Sequence, residues 1–113
     1  MTGRRNDPQR LADILRSVSR IEEVLSGGYE PFAGSWMIQS AVIRELEIIG
    51  EAAGEVSSST RRRHPEIEWE KMRGFSSFVK HEYWRVDPKR LWVAVEEMPS
   101  LKKRIGSVVP SPD

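Results

Sequence analysis

The residues with the most chemical character lie in one run, Arg73-Gly74-Phe75-Ser76-Ser77-Phe78-Val79-Lys80-His81-Glu82-Tyr83. An imidazole with a pKa near about 6.5 can both take and give a proton at neutral pH. At about 100° per residue, Arg73, Ser77 and His81 fall at i, i+4 and i+8 and drift slowly around one helix face. Lys80 falls beside His81, while Met72, Phe75 and Val79 occupy a different arc that can face a core. One side of such a helix is oily. The other offers a guanidinium, two hydroxyls (Ser76 and Ser77), an ammonium and an imidazole. That stripe could hold a phosphate, with Arg73 and Lys80 neutralising it while His81 moves a proton. The same residue types also make an ordinary solvated face with a surface histidine, and both readings stay open. Tyr83 points about 200° away from His81 on a continuous helix, so the two share a site only where the helix ends. Packing of Tyr83 in the core is the plainer alternative.

Arg61-Arg62-Arg63-His64 is a second basic run. It could track a nucleic-acid backbone or attract an acidic partner, and it could equally be a solvated turn. With two histidines and no cysteine, no metal site is expected. No glycine-rich phosphate cradle and no nucleophile elbow is present, so no cofactor is expected either.

These residues need helices to position them. Asp7-Pro8 reads as a helix start, with Asp capping and Pro at the first helical position. Leu11, Ile14, Leu15, Val18, Ile21 and Leu25 follow at helical spacing, and Gly27-Gly28 stops the run. Glu30-Pro31 continues the connection, because the residue before Pro disfavours the helical region. A second helix is expected from about Ser35 to Val56, apolar over so wide an arc that it is buried from two directions. In a chain this small, the second direction would be another subunit. Ser57 to Thr60 caps a short turn that Pro65 ends. A third helix opens near Glu66 and runs to about Tyr83, weakened by about 1 kcal/mol at Gly74, where close packing is expected. Asp87-Pro88 starts a fourth helix through Leu91, Trp92, Val95, Met98, Leu101 and Ile105, which Pro99 kinks or splits. No segment has strand periodicity. The expected fold is all-α, an antiparallel bundle of four main helices with a short extra helical turn.

Bulk composition narrows the classes further. The chain has 113 residues, which fits one domain over 1–113. Basic and acidic residues nearly cancel, 18 against 17, so any nucleic-acid contact must rest on local clustering. The lack of cysteine removes disulfide and thiol chemistry and suits a reducing cytosol. No apolar run approaches the roughly 20 residues that span a bilayer, and the polar N-terminus lacks a signal segment. A cytoplasmic protein without membrane contact is expected.

An ordered set of motifs resembles one known family along nearly the whole chain. They are Leu11-Ala-Asp-Ile-Leu with Ile21-Glu-Glu-Val-Leu, Gly28-Tyr29, Val42-Ile-Arg-Glu-Leu-Glu-Ile-Ile-Gly-Glu-Ala52 and His64-Pro-Glu-Ile-Glu-Trp69. His81-Glu-Tyr83, Val86-Asp87, Leu91-Trp92 and Met98-Pro-Ser-Leu101 complete it. The chain is similar to the HepT-like branch of the HEPN domains. The resemblance implies the toxin of a toxin–antitoxin pair, a metal-independent ribonuclease that works as a homodimer. Its Arg-x4-His motifs meet in a cleft between subunits, the histidine acting as acid or base and the arginine holding the scissile phosphate. The implied partner is a minimal nucleotidyltransferase antitoxin, in some systems attaching adenylyl groups to the tyrosine of a His-x-Tyr motif. Those roles would fall here on His81 and Tyr83. The arginine position, however, holds Ser76, followed by Ser77 where Asn is frequent, and Glu45 stands at a second-helix position usually held by Asn. Serine supplies neither a fixed charge nor a bidentate fork. Arg73, one turn earlier, and Lys80 are the substitutes at hand, with Arg61, Arg62 and Arg63 as further RNA contacts. The resemblance therefore implies either a ribonuclease weakened at residue 76 or a dimeric module that binds its partner or RNA without cleavage.

Overall fold

The computed structural model describes residues 6–82 and 87–109, with His81 and Glu82 described by their backbone only. Tyr83 lies outside the described residues. All regular structure among them is helical.

Helix α1 (Asp7–Val24) begins one residue earlier than its Asp-Pro signal suggests. Asn6 is the cap, accepting from the Gln9 N–H at 2.9 Å while the Gln9 side chain accepts from the Asn6 N–H at 2.9 Å. That reciprocal pair satisfies two orphan donors at once, which leaves the Asp7 carboxylate for another task described below. α1 ends before Gly27-Gly28. Gly28 does take a left-handed φ of 87°, but as the lead-in to α2 (Tyr29–Ala33). The expected connection through Glu30-Pro31 is thus a helical turn. Pro31 sits in its first turn, where a missing N–H loses no bond.

Helix α3 (Trp36–Glu55) runs as expected, with the Ser35 hydroxyl accepting from the Ile38 N–H at 3.1 Å. Helix α4 (Ser58–Arg63) is capped by Ser57. Helix α5 (Trp69–Glu82) starts three residues after Glu66. A turn intervenes, held by buried Ile67 and by the Trp69 indole N–H donating to the His64 carbonyl at 3.0 Å. Pro99 splits the last helical stretch into α6 (Pro88–Val95) and α7 (Met98–Gly106).

Ion pairs report the register. Arg10 with Glu55 and Arg20 with Glu45, both at 3.8 Å, set α1 antiparallel to α3. Lys80 with Glu51 at 3.7 Å helps set α5 antiparallel to α3. Arg104 with Glu68 at 3.9 Å, and Lys71 with Glu97, bring α7 against α5. Between these helices lie Ile14, Val18 and Ile21, Val42, Leu46 and Ile49, Met72 and Val79, and Leu91 and Ile105, all essentially solvent-free. Each such side chain contributes about 1.5–3 kcal/mol on burial. The result is the expected all-α bundle, with its fourth helix in two pieces and two short helices where one extra turn was expected. Part of the wide apolar arc on α3 stays uncovered in the single chain: Trp36 is 74% and Met37 64% exposed.

Candidate functional site

Of the predicted site residues, Arg73, Ser76, Ser77, Lys80 and His81 sit on α5, whose burial pattern follows its sequence. Met72, Phe75 and Val79 point inward, while Arg73, Gly74, Ser77 and Lys80 are exposed. Ser76 lies between, half-buried against α3. There the two helices come as close as they can. A Cβ built on Gly50 would sit 2.6 Å from both the Cβ and the backbone nitrogen of Ser76. Only glycine fits residue 50 without moving a helix. One turn on, a Cβ on Gly54 would meet the Arg73 Nε at an ordinary 3.7 Å. The two α3 glycines are therefore the seats on which Ser76 and Arg73 rest.

Above this contact the α3–α5 groove opens, about 660 Å³, with Gly50, Glu51, Glu55, Glu70, Arg73 and Ser76 in its lining. Among the described residues Arg73 is its one cation, and it pairs with Glu70 at 3.0 Å. Lys80 pairs with Glu51 at 3.7 Å. The Ser76 hydroxyl donates to the Arg73 carbonyl at 3.2 Å, within its own helix. Arg73, Ser77 and Lys80 are exposed on α5, and each of the two cations among them has a carboxylate beside it. His81 follows on the same helix, one and a half turns past Ser76, and about 12 Å along the axis from Arg73.

The arginine run is not brought into that groove. Arg61, Arg62 and Arg63 are the last turn of α4, where positive charge also complements the helix dipole. Arg63 donates to the Thr60 hydroxyl at 3.1 Å. Arg61 and Arg62 line a separate α4–α5 groove of about 560 Å³ with Trp69 and Lys71. Asp7 holds α4 in place: its carboxylate accepts from the Ser57 N–H at 3.1 Å and from the Ser57 and Thr60 hydroxyls at 2.5 and 2.6 Å. Burial works to raise the Asp7 pKa, but these bonds and the nearby Arg10 charge outweigh it and hold the group below the ordinary carboxylate value. The hydrogen bond from Lys71 to Glu97 likewise raises the Lys71 pKa against a smaller desolvation effect.

Glu45 belongs to neither groove. It faces α1, with one oxygen 3.8 Å from Arg20 and the other buried without a partner. Gly50, Gly54, Glu51, Glu55 and Glu70 were not read from the sequence as site residues. The glycines left a signal, since each costs a helix interior about 1 kcal/mol and so marks a close approach. The glutamates left none, because they look like any solvated face. Among the described residues no group of three His, Cys, Asp or Glu side chains could hold a metal ion. No described helix is long and apolar enough to cross a membrane.

Comparison with known proteins bears on this geometry. The family profile described as "Ribonuclease HepT-like" matches residues 14–108. A Thermococcus cleftensis protein named "Probable ribonuclease HepT" is 40% identical over 101 residues, covering 88% of this chain and 92% of the relative. A Methanocaldococcus jannaschii protein named "Putative RNase MJ1380" is 37% identical over 100 residues, covering 87% of this chain and 92% of the relative. A bacterial relative from Caldanaerobacter subterraneus, "Putative RNase TTE0752", is 30% identical over 90 residues, 79% of this chain and 80% of its own. No solved structure matches the chain. On the profile match and these identities, the chain belongs to the ribonuclease HepT-like family.

Proposed function

We propose that this protein is the toxin of a toxin–antitoxin pair, a cytoplasmic, metal-independent RNA endonuclease whose turnover is weak. It acts as a homodimer, with His81 of each copy as acid or base and Arg73 as the cation nearest the scissile phosphate. One imidazole takes the proton of the 2′-hydroxyl, whose oxygen forms a bond to phosphorus. The bond from phosphorus to the 5′-oxygen breaks, and the second imidazole returns a proton to that leaving oxygen. Ser77 stands exposed between Arg73 and His81, where its hydroxyl can bond a phosphate oxygen. The antitoxin is a minimal nucleotidyltransferase that modifies Tyr83 with adenylyl groups.

The observation that carries the weakness is at residue 76. An uncharged side chain rests there on Gly50, its hydroxyl turned to the Arg73 carbonyl. Loss of a donor to transition-state charge costs a factor of about 10² or more. The acidic lining of the α3–α5 groove, where Arg73 faces Glu51, Glu55 and Glu70, opposes a phosphate there and favours a second reading, a dimer that binds its partner, or RNA elsewhere on its surface, without turnover. The test is incubation of the purified chain with RNA, with and without EDTA, beside His81→Ala. Slow cleavage that EDTA leaves intact and His81→Ala abolishes is expected. Cleavage that EDTA stops, or that His81→Ala leaves unchanged, contradicts the reading, and RNA bound but never cut favours the second.

A further inference from the structure

On its other flank α5 meets α6, and the groove between them has a different character. It measures about 430 Å³ and is walled by Phe78, Val93 and Ala94, with Gly74 at one side and Arg90 and Lys71 at its rim. Val93 is 62% exposed, an uncovered apolar wall where the other described branched aliphatics are buried or partly buried. The Arg90 guanidinium lies over the Phe78 ring, 5.5 Å from its centroid. A flat cation resting on an aromatic face is a ready platform, since bases stack on guanidinium planes and the charge meets the adjoining phosphate. Phe78 is three residues before His81 on the same helix, so this platform begins about one turn from the residue assigned to proton transfer.

Charge favours the same direction. Among the described residues the α3–α5 groove sets one cation against three carboxylates. The α5–α6 groove sets Lys71 and Arg90 against Glu97. Lys71 also lines the α4–α5 groove, where Arg61, Arg62 and Lys71 outnumber Glu68 and Glu70 among the described residues. Gly74 completes the path. A Cβ built there meets nothing within 4 Å among the described residues, so the close packing expected at this glycine is not supplied by them. A helix-interior glycine without an internal reason leaves the backbone open to something from outside.

We propose that the α5–α6 groove seats one base of a single-stranded RNA, stacked on the Arg90 guanidinium above Phe78, and that the strand runs on past Lys71 to Arg61 and Arg62. The proposal rests on the ribonuclease reading of the α5 face and assigns the binding subsite that accompanies it. It is tested on the full-length chain carrying His81→Ala, so that the probe stays intact. The probe is a fluorescein-labelled single-stranded RNA of about 12 nucleotides, within the usual range for such grooves.

Arg90→Gln is expected to weaken binding about fivefold or more and to lower the slope of log affinity against log salt by about one. Arg90→Lys keeps the slope but loses affinity. Phe78→Leu, which preserves the apolar packing, loses affinity several-fold with the slope unchanged. Circular dichroism and sedimentation of each variant verify the fold and the assembly. If Arg90→Gln and Phe78→Leu bind RNA as the parent does, while the unaltered chain still cuts RNA through His81, the groove proposal fails and the ribonuclease reading stands. If the variants change the assembly instead of the affinity, the groove is a protein interface and the proposal fails. If no form binds or cuts RNA, both fall together.

Discussion

The two flanks of α5 do opposite things with the same helix. Toward α3, Gly50 and Gly54 let the backbones close until Ser76 touches Gly50, and carboxylates gather around the one cation lining the groove. Toward α6 and α4, the packing is open, an apolar wall is exposed, and Phe78, Arg90, Lys71, Arg61 and Arg62 line the gaps, where described cations outnumber the carboxylates Glu68, Glu70 and Glu97. Close packing fixes where the candidate residues stand, because interiors at crystal-like density hold their neighbours to fractions of an ångström. Openness leaves room for a ligand. A helix that carries chemistry benefits from one flank of each kind.

That contrast can be broken most forcefully at residue 50. Gly50→Ala gains helix propensity, yet its methyl group must displace the backbone of Ser76. A net loss of about 2 kcal/mol is expected, which a thermal melt reads as a fall of about 8 °C. A melting temperature equal to the parent's would show that the close contact does not fix α5.

On the open flank the hold is the Asp7 carboxylate, which keeps α4 and its arginines beside α5. Asp7→Ala removes the acceptor for Ser57 and Thr60 and is expected to cost about 1–2 kcal/mol in denaturant unfolding. The pH dependence follows from the lowered pKa of Asp7. A group that binds its proton less tightly when folded contributes stability above its unfolded pKa, about 3.9 for Asp. That stability drains away as pH falls through the lower folded value. The parent should therefore lose stability below about pH 4 more steeply than Asp7→Ala does. Parallel acid curves for the two proteins would remove the latch.

The smallest effect is expected at Gly74. No described residue opposes a side chain there, so Gly74→Ala should raise the stability of the isolated protein by up to about 1 kcal/mol through helix propensity alone. A destabilised Gly74→Ala protein would mean that the glycine answers a contact within the fold.

Much of this architecture was legible because local signals and burial agreed. The α1 apolar spacing at Leu11, Ile14, Val18 and Ile21 became its buried face. Ser35 capped α3, and Pro99 divided the last helical stretch, each for reasons confined to a few residues. The signals that misled were those with two possible uses. Asp7 resembled a cap but gave its carboxylate to α4, and only the fold could show that Ser57 and Thr60 would be waiting there. Pro31 read as a connection but began a one-turn helix whose first N–H groups needed no partner. At the candidate site, helical spacing placed Arg73, Ser77, Lys80 and His81 on one helix, and the family resemblance singled out Ser76. The carboxylates that face those cations could not, because the neighbours of α5 are set by the crossing of two helices far apart in sequence. The Arg90 platform was hidden for the same reason, since Phe78 and Arg90 meet only once α6 folds back.

The central claim is that serine at residue 76 is what holds this ribonuclease back, and Ser76→Arg tests it most directly. Rates of RNA cleavage should be measured for the unaltered chain, Ser76→Arg, and Ser76→Arg combined with His81→Ala, under the same salt and with EDTA present. A rise of about 100-fold or more on adding the arginine, lost again when His81 is removed, is the predicted result. An unaltered chain that already cuts RNA through His81 at the rate of its Ser76→Arg variant would contradict it.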